Sequence, residues 1–165
     1  MLKTVRKRPV LWVIFVSAAV FTSIVYSHCQ IPCGIYGDQM RFDMIAEHIT
    51  TIEKSMKLIT ELSSQRSPNM NQIVRWVHNK DEHADEISHI IAYYFMAQRL
   101  ELPTKDDVKA YNEYVKKLTL LHEMLVYTMK TKQTTDLADV ERLTSSLAKF
   151  RNAYFGKTGH NEHKP

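Results

Sequence analysis

Apolar residues recur at helical spacing in four separate stretches. In the first, Phe42, Ile45, Ile49, Ile52, Met56 and Ile59 alternate steps of three and four residues. That spacing lays one apolar stripe on a helix of about six turns, with charge on the opposite face. Asp38 precedes it as the predicted N-cap. The run Ser63-Ser64-Gln65-Arg66-Ser67-Pro68-Asn69 ends the helix and turns the chain. A second helix is predicted over 71–99, with a stripe of Ile73, Val77, Ala84, Ile87, Ile91 and Tyr94 that Lys80 interrupts.

Leu102-Pro103-Thr104 forms the next turn, with Thr104 as predicted N-cap and Asp106 and Asp107 in the first helical turn. The third stripe is Val108, Tyr111, Val115, Leu118, His122, Leu125 and Met129, again in steps of three and four. On it, His122 is expected to be buried and hydrogen-bonded, or to lie at an interface. A polar turn follows over Thr131 to Thr135. The fourth stripe is Leu137, Val140, Thr144, Leu147, Arg151 and Tyr154, reinforced by Leu143 and Phe150. Four helices of roughly 20–28 residues joined by short turns predict an all-α, up-down-up-down four-helix bundle. The bundle occupies 37–155, and 156–165 is expected to be a flexible tail.

What precedes the first helix has a different character. Lys3, Arg6, Lys7 and Arg8 make a positive start, and Val10 to Tyr26 is apolar except for Ser17, Thr22 and Ser23. Val25-Tyr26-Ser27 has the small-x-small character of a signal-peptidase site, so residues 1–27 are expected to be a signal or pro-peptide that is removed. An uncleaved single-pass anchor is the alternative, because 17 apolar residues lie at the short edge of a membrane span. The export signal predicts a periplasmic or extracellular protein, with the cytoplasm after propeptide removal as the alternative. No stable membrane association is expected once the leader is gone.

The leader also accounts for the net charge of +4. It holds four of the 22 basic residues and no acid, and its loss leaves 18 basic against 18 acidic. A nucleic-acid-binding surface is therefore not expected. There is no Gly-rich phosphate loop. Glu86-Ile87-Ser88-His89 is a single E-x-x-H motif, whereas a di-iron bundle site needs two. His78, His83 and His89 are spread around their helix by offsets of five and six. No nucleophile triad is legible.

Between leader and bundle lies His28-Cys29-Gln30-Ile31-Pro32-Cys33-Gly34-Ile35-Tyr36, which holds both cysteines of the chain. One imidazole and two thiolates are too few for a closed zinc site, which takes four side chains. Cleavage after Ser27 would add the α-amino group of His28, and the Cys29 amide nitrogen is a further donor once deprotonated. Amine, amide and the Cys29 thiolate close two five-membered chelate rings, and Cys33 returns across the Pro32 turn. Nitrogen donors in a square plane point to Ni(II) or Cu(II). Anionic thiolate and amidate donors stabilise a higher oxidation state, so the segment is a candidate one-electron redox site. A Cys29–Cys33 disulfide stapling a non-enzymatic exported bundle is the rival reading. A nickel or copper carrier without turnover is the third.

The pattern His-Cys-x-x-Pro-Cys-Gly-x-Tyr ahead of a four-helix bundle resembles nickel-containing superoxide dismutase. The likeness extends, with less specificity, through Asn71-Gln72-Ile73-Val74-Arg75-Trp76-Val77 and Tyr94-Phe95-Met96-Ala97-Gln98-Arg99. The resemblance implies disproportionation of superoxide by a Ni(II)/Ni(III) couple, with one nickel ion per subunit. It implies that His28 supplies amine and axial imidazole, that Cys29 supplies amide and thiolate, and that Cys33 supplies a second thiolate. Tyr36 would stand near the open face, ordering water or limiting access to small anions. It further implies a homohexamer, and maturation implies a leader protease and a nickel chaperone. Gln30 occupies a position where the best-known members carry Asp. Asp43 maps near the carboxylate expected to orient the histidine ring, and Arg75 is the candidate partner for it.

Overall fold

In the computed structural model the structure describes residues 37–104 and 106–156. The leader, the segment 28–36 and the tail beyond Gly156 lie outside the described residues. Four helical rods make up the described part: α1 (Asp38–Ser63), α2 (Met70–His89) continued by a π-helical segment (Ile90–Arg99), α3 (Val108–Gln133) and α4 (Leu137–Phe155). No strand occurs among the described residues. None of the described helices is long and apolar enough to cross a membrane.

The polar contacts between neighbouring helices fix their directions. Ser55 meets Asn79, and His48 meets His83, so α1 and α2 run antiparallel. Lys132 reaches Asp85 between α2 and α3, and Ser146 reaches Glu123 between α3 and α4. Tyr154 and Arg151 return to Asp38 and Asp43 on α1, closing the ring. The result is the up-down-up-down bundle that short turns demand.

On α1 all six expected residues face the core. The other rods depart from expectation. Val77 lies outside the core at 38% exposure. Lys80, which breaks the apolar stripe of α2, is buried instead of solvated. Its ammonium donates to the carbonyl oxygens of Thr131 and Lys132, each at 2.6 Å, and lies 3.4 Å from Asp81. Carbonyls in the last turn of a helix have no intrahelical donor, and that end of the helix carries the negative pole. A buried cation from α2 supplies what the end of α3 lacks.

The largest departure concerns α3. Its buried residues are Leu120, Leu121, Met124, Thr128 and Thr131. The predicted stripe faces outward: Val108, Tyr111, Val115, His122 and Met129 are exposed, and Leu118 and Leu125 are half-buried. His122 is therefore not a core residue. On α4 the core face is Val140, Leu143, Ser146, Leu147 and Phe150, whereas Thr144 and Arg151 are exposed. Helix boundaries moved as well. The N-cap of α3 is Asp107, which accepts from the Ala110 amide at 2.9 Å, and not Thr104. The turn after α3 starts later than predicted, because Thr131 is a buried residue of the helix.

His48 and His83 meet across the α1–α2 interface with their Nδ1 atoms 2.7 Å apart. One ring must donate and the other accept. Burial lowers the pKa of His48, the neighbouring His83 lowers it further, and Glu86 and Glu47 oppose the shift. A histidine with a depressed folded pKa stabilises the fold above its unfolded value of about 6.5, and that contribution is lost as pH falls below it. Urea midpoints are expected to drop between pH 7 and pH 5, and His48→Gln should flatten the dependence. Independently, Lys80→Met should lower the unfolding free energy by about 1–3 kcal/mol, because it strands two buried carbonyls. Urea unfolding at pH 7 checks it.

Candidate metal centre

The sequence places its candidate donors, His28, Cys29 and Cys33, together with Tyr36, just ahead of the bundle. All four lie outside the described residues. The described chain begins with Gly37, which follows Tyr36 directly and is the N-cap of α1. What the structure does describe is how this end of the bundle is held.

Asp38 was expected to cap α1, but the carboxylate is engaged elsewhere. Tyr94 Oη donates to its Oδ1 at 2.6 Å, Arg99 Nε donates to the same oxygen at 2.8 Å, and Tyr154 Oη donates to Oδ2 at 2.9 Å. Three elements, α1, the π segment and α4, are thus pinned on one carboxylate. Arg99 Nη2 also donates to Tyr94 Oη at 3.1 Å. The cluster is closed: each partner is oriented by another.

The π segment makes the cluster possible. In an α-helix each residue turns the chain by about 100°, so two residues five apart point in divergent directions. Bonds from residue i to residue i+5 bring positions five apart onto one side. Tyr94 and Arg99 are such a pair, and the segment closes with the Leu100 amide donating to the Phe95 carbonyl at 3.0 Å. The same winding buries Phe95 completely. Phe95 packs on Phe42 at 4.8 Å and edge-on against Phe150 at 5.0 Å between ring centroids. Tyr154 and Phe155 join them around Phe42. The polar cluster therefore sits on an aromatic floor, which keeps water from competing for its hydrogen bonds.

Electrostatics follow from this packing. Burial pushes the Asp38 carboxyl up, but hydrogen bonds from Tyr94 and Tyr154 and the charge of Arg99 outweigh it, leaving the pKa below the ordinary carboxylate value. Burial and the hydrogen bond to Asp38 raise both tyrosine hydroxyls. Both tyrosines therefore stay protonated donors at any physiological pH. Beside the cluster opens a cleft of about 560 Å³, lined by Asp38, Arg99, Tyr154, Lys117, Glu113 and Leu102 among others.

Sequence reasoning missed this cluster as a unit. Its signals were present but scattered: Asp38 lies two residues beyond Tyr36, Tyr94 and Arg99 bracket one of the family-like runs, and Tyr154 ends the fourth stripe. Asp43, expected near the histidine ring, is 60% exposed in its side chain and lies 3.5 Å from Arg151. It also accepts from Gln39 at 2.7 Å. Arg75, the proposed partner, is exposed near the opposite end of the bundle, so Arg151 takes that place. Glu86 and His89 are exposed, and His89 stacks on Tyr93 at 4.6 Å. Among the described residues no group of three or more His, Cys, Asp or Glu side chains is arranged to hold a metal ion.

The described residues form a four-helix bundle whose opening turn is held by a half-buried carboxylate cluster. The sequence model of the family described as nickel-containing superoxide dismutase matches residues 23–158, spanning the cysteine-containing segment and the whole bundle. The chain belongs to that family, and it is a nickel enzyme that disproportionates superoxide to oxygen and hydrogen peroxide. No curated protein and no solved structure matches it significantly.

Asp38→Asn should cost about 2–3 kcal/mol, since it weakens charge-assisted hydrogen bonds to three partners. The lowered pKa of Asp38 means that its contribution is present above the unfolded value of about 3.9 and lost as pH falls below it. Acid unfolding followed by circular dichroism should be shallower in the variant over that range.

Proposed function

We propose that nickel is held by the first two residues of a processed chain and by Cys33. The observation that carries this reading is the position of His28 directly after a small-x-small cleavage sequence, next to both cysteines of the chain. The donor chemistry fits the ion. Amine and amide nitrogens with two thiolates form the planar set that Ni(II) favours, and anionic donors lower the cost of oxidising it. When bound, the nickel supplies one-electron oxidation and reduction.

The chain's own residues do the rest. The His28 amine and the Cys29 amide fix two adjacent donors by chelation. Cys29 and Cys33 bring the negative charge. The His28 ring would be a further donor, and Pro32 would favour a turn that lets Cys33 join Cys29 at the ion. The hydroxyl of Tyr36 would order water near the ion and restrict access to small anions. One superoxide gives up an electron and leaves as oxygen. Another accepts an electron and two protons and leaves as hydrogen peroxide, so donors that order water near the site serve the second half. Asp38 and its three partners hold the polypeptide two residues beyond Tyr36, which anchors the segment to a rigid support.

The same reading includes removal of residues 1–27 by a leader protease, export to the periplasm or extracellular space, loading of nickel by a chaperone, and assembly as a homohexamer. Its catalytic set is His28, Cys29, Cys33 and Tyr36, and its metal ligands are His28, Cys29 and Cys33. Reduced thiols are required when the metal arrives, because a disulfide or an oxidised sulfur is no ligand.

Mass spectrometry of the purified active protein should place its N-terminus at His28. Active enzyme retaining even one residue before His28 would overturn the ligand set. Cys29→Ser and Cys33→Ser should each abolish stoichiometric nickel and lower superoxide consumption by at least about a hundredfold, while the helical circular dichroism signal persists.

A further inference from the structure

The histidine pair between α1 and α2 plays no part in the proposed nickel chemistry. His48 and His83 face each other with Nδ1 atoms 2.7 Å apart and ring centroids 4.9 Å apart. Both are half-buried, whereas Ile45, Ile52 and Ile87, one turn away on their own helices, are buried. The pair therefore stands at the rim of the core, open on one side to water. Two protonated rings cannot share this spacing, since both Nδ1 atoms would then be donors. With both rings neutral, one Nδ1 lone pair is used and the other is replaced by a proton. A cation between the rings uses both lone pairs. We propose that His48 and His83 form a two-histidine clip for a divalent late first-row metal ion of the zinc type, which staples α1 to α2.

Geometry, charge and chemistry support the clip. A nitrogen ligand sits about 2.0–2.1 Å from zinc, so two of them lie about 3.4 Å apart in a tetrahedral shell. The rings therefore have to part by roughly 0.7 Å from their hydrogen-bonded spacing, a small rotation for half-buried side chains. One ring also moves its proton from Nδ1 to Nε2, a change of tautomer that leaves its charge unaltered. The charges acting on His48 come from His83, Glu86 and Glu47, and none comes from a lysine or arginine among the described residues. Both glutamates are exposed and offset the charge of an incoming cation. Burial lowers the proton affinity of His48, which keeps its lone pair free at neutral pH. Imidazole is a good ligand for this class of ion. Two side chains leave its other positions to water or to Glu86, which stands three residues beyond His83 and so on the same face of α2. The clip shares no residue with the proposed nickel ligands. An ion that holds α1 to α2 in the folded chain stabilises the bundle by linkage.

The test titrates Zn(II) into the nickel-loaded enzyme at pH 7, by calorimetry, and then measures both metals in the washed protein. Saturable uptake of one zinc in addition to the nickel is expected, together with a rise in the urea midpoint. His48→Gln and His83→Gln should each weaken zinc binding at least about tenfold, as loss of a ligand must cost at least what loss of a ligand's hydrogen-bonding partner does. Neither change should alter nickel content or superoxide consumption, and retained activity shows that the variants fold. His122→Gln, at an exposed histidine of α3, should bind zinc as the unaltered enzyme does. In the unaltered enzyme, zinc should shift the ring proton signals of His48 and His83 in the nuclear magnetic resonance spectrum, a readout that needs no variant. Absence of zinc beyond the nickel, zinc taken up only in exchange for nickel, or zinc uptake indifferent to His48→Gln and His83→Gln overturns the clip. None of these outcomes touches the assignment of nickel to His28, Cys29 and Cys33, which the mature N-terminus and the cysteine variants test separately.

Discussion

The Asp38 carboxylate is the interaction on which the functional end of this bundle depends. It stands at the first position of α1, immediately beyond the segment that carries the cysteines, and it accepts from Tyr94, Arg99 and Tyr154. A carboxylate in the first turn already complements the positive pole of its helix. Here the same charge also draws the π segment and the end of α4 together above Phe42, Phe95 and Phe150. Removing water from this region strengthens each hydrogen bond and makes each unmet partner costly. The start of α1 is thus a point where polar satisfaction and aromatic packing enforce each other.

The opposite end of α3 is closed on a similar principle with reversed sign. Lys80 is buried on the core side and aims its ammonium at the terminal carbonyls of α3. In both places a charge fixes a helix terminus that apolar packing alone would leave unspecified in register. The core between them is formed mainly by aliphatic and aromatic side chains, with Ser55, Thr128 and Ser146 among the buried polar residues. The chemistry of this nickel-containing superoxide dismutase therefore has to be sought in particular residues and not in the bundle as such.

The candidate donors rest on the sequence alone, since His28, Cys29, Cys33 and Tyr36 lie outside the described residues. A histidine directly before the first of two nearby cysteines is a local feature of the chain, and the donor chemistry is argued from residue types and connectivity. The support was not legible, for a definite reason. Tyr94 and Arg99 are five residues apart, and α-helical winding does not bring such positions together. Only the i to i+5 winding of Ile90–Arg99 aligns them. Asp43 illustrates the converse: its place in the sequence invited a role beside the histidine ring, but its carboxylate is exposed and meets Gln39 and Arg151.

The presence of four helices and the six core residues of α1 are determined by periodicity, because one amphipathic face leaves no choice about what to bury. Periodicity fails where a helix has two apolar faces. Both faces of α3 repeat with the same period, so spacing cannot tell which one the bundle covers. The inner face even carries Thr128 and Thr131, less apolar than Val115 or Met129 outside. Tertiary structure decided between them, since the packing of α2 and α4 sets which side of α3 lies inward. It also decided that Lys80 is a buried cap and that Asp38 is a junction, because both roles depend on groups distant in sequence that only the folded bundle brings within hydrogen-bonding reach.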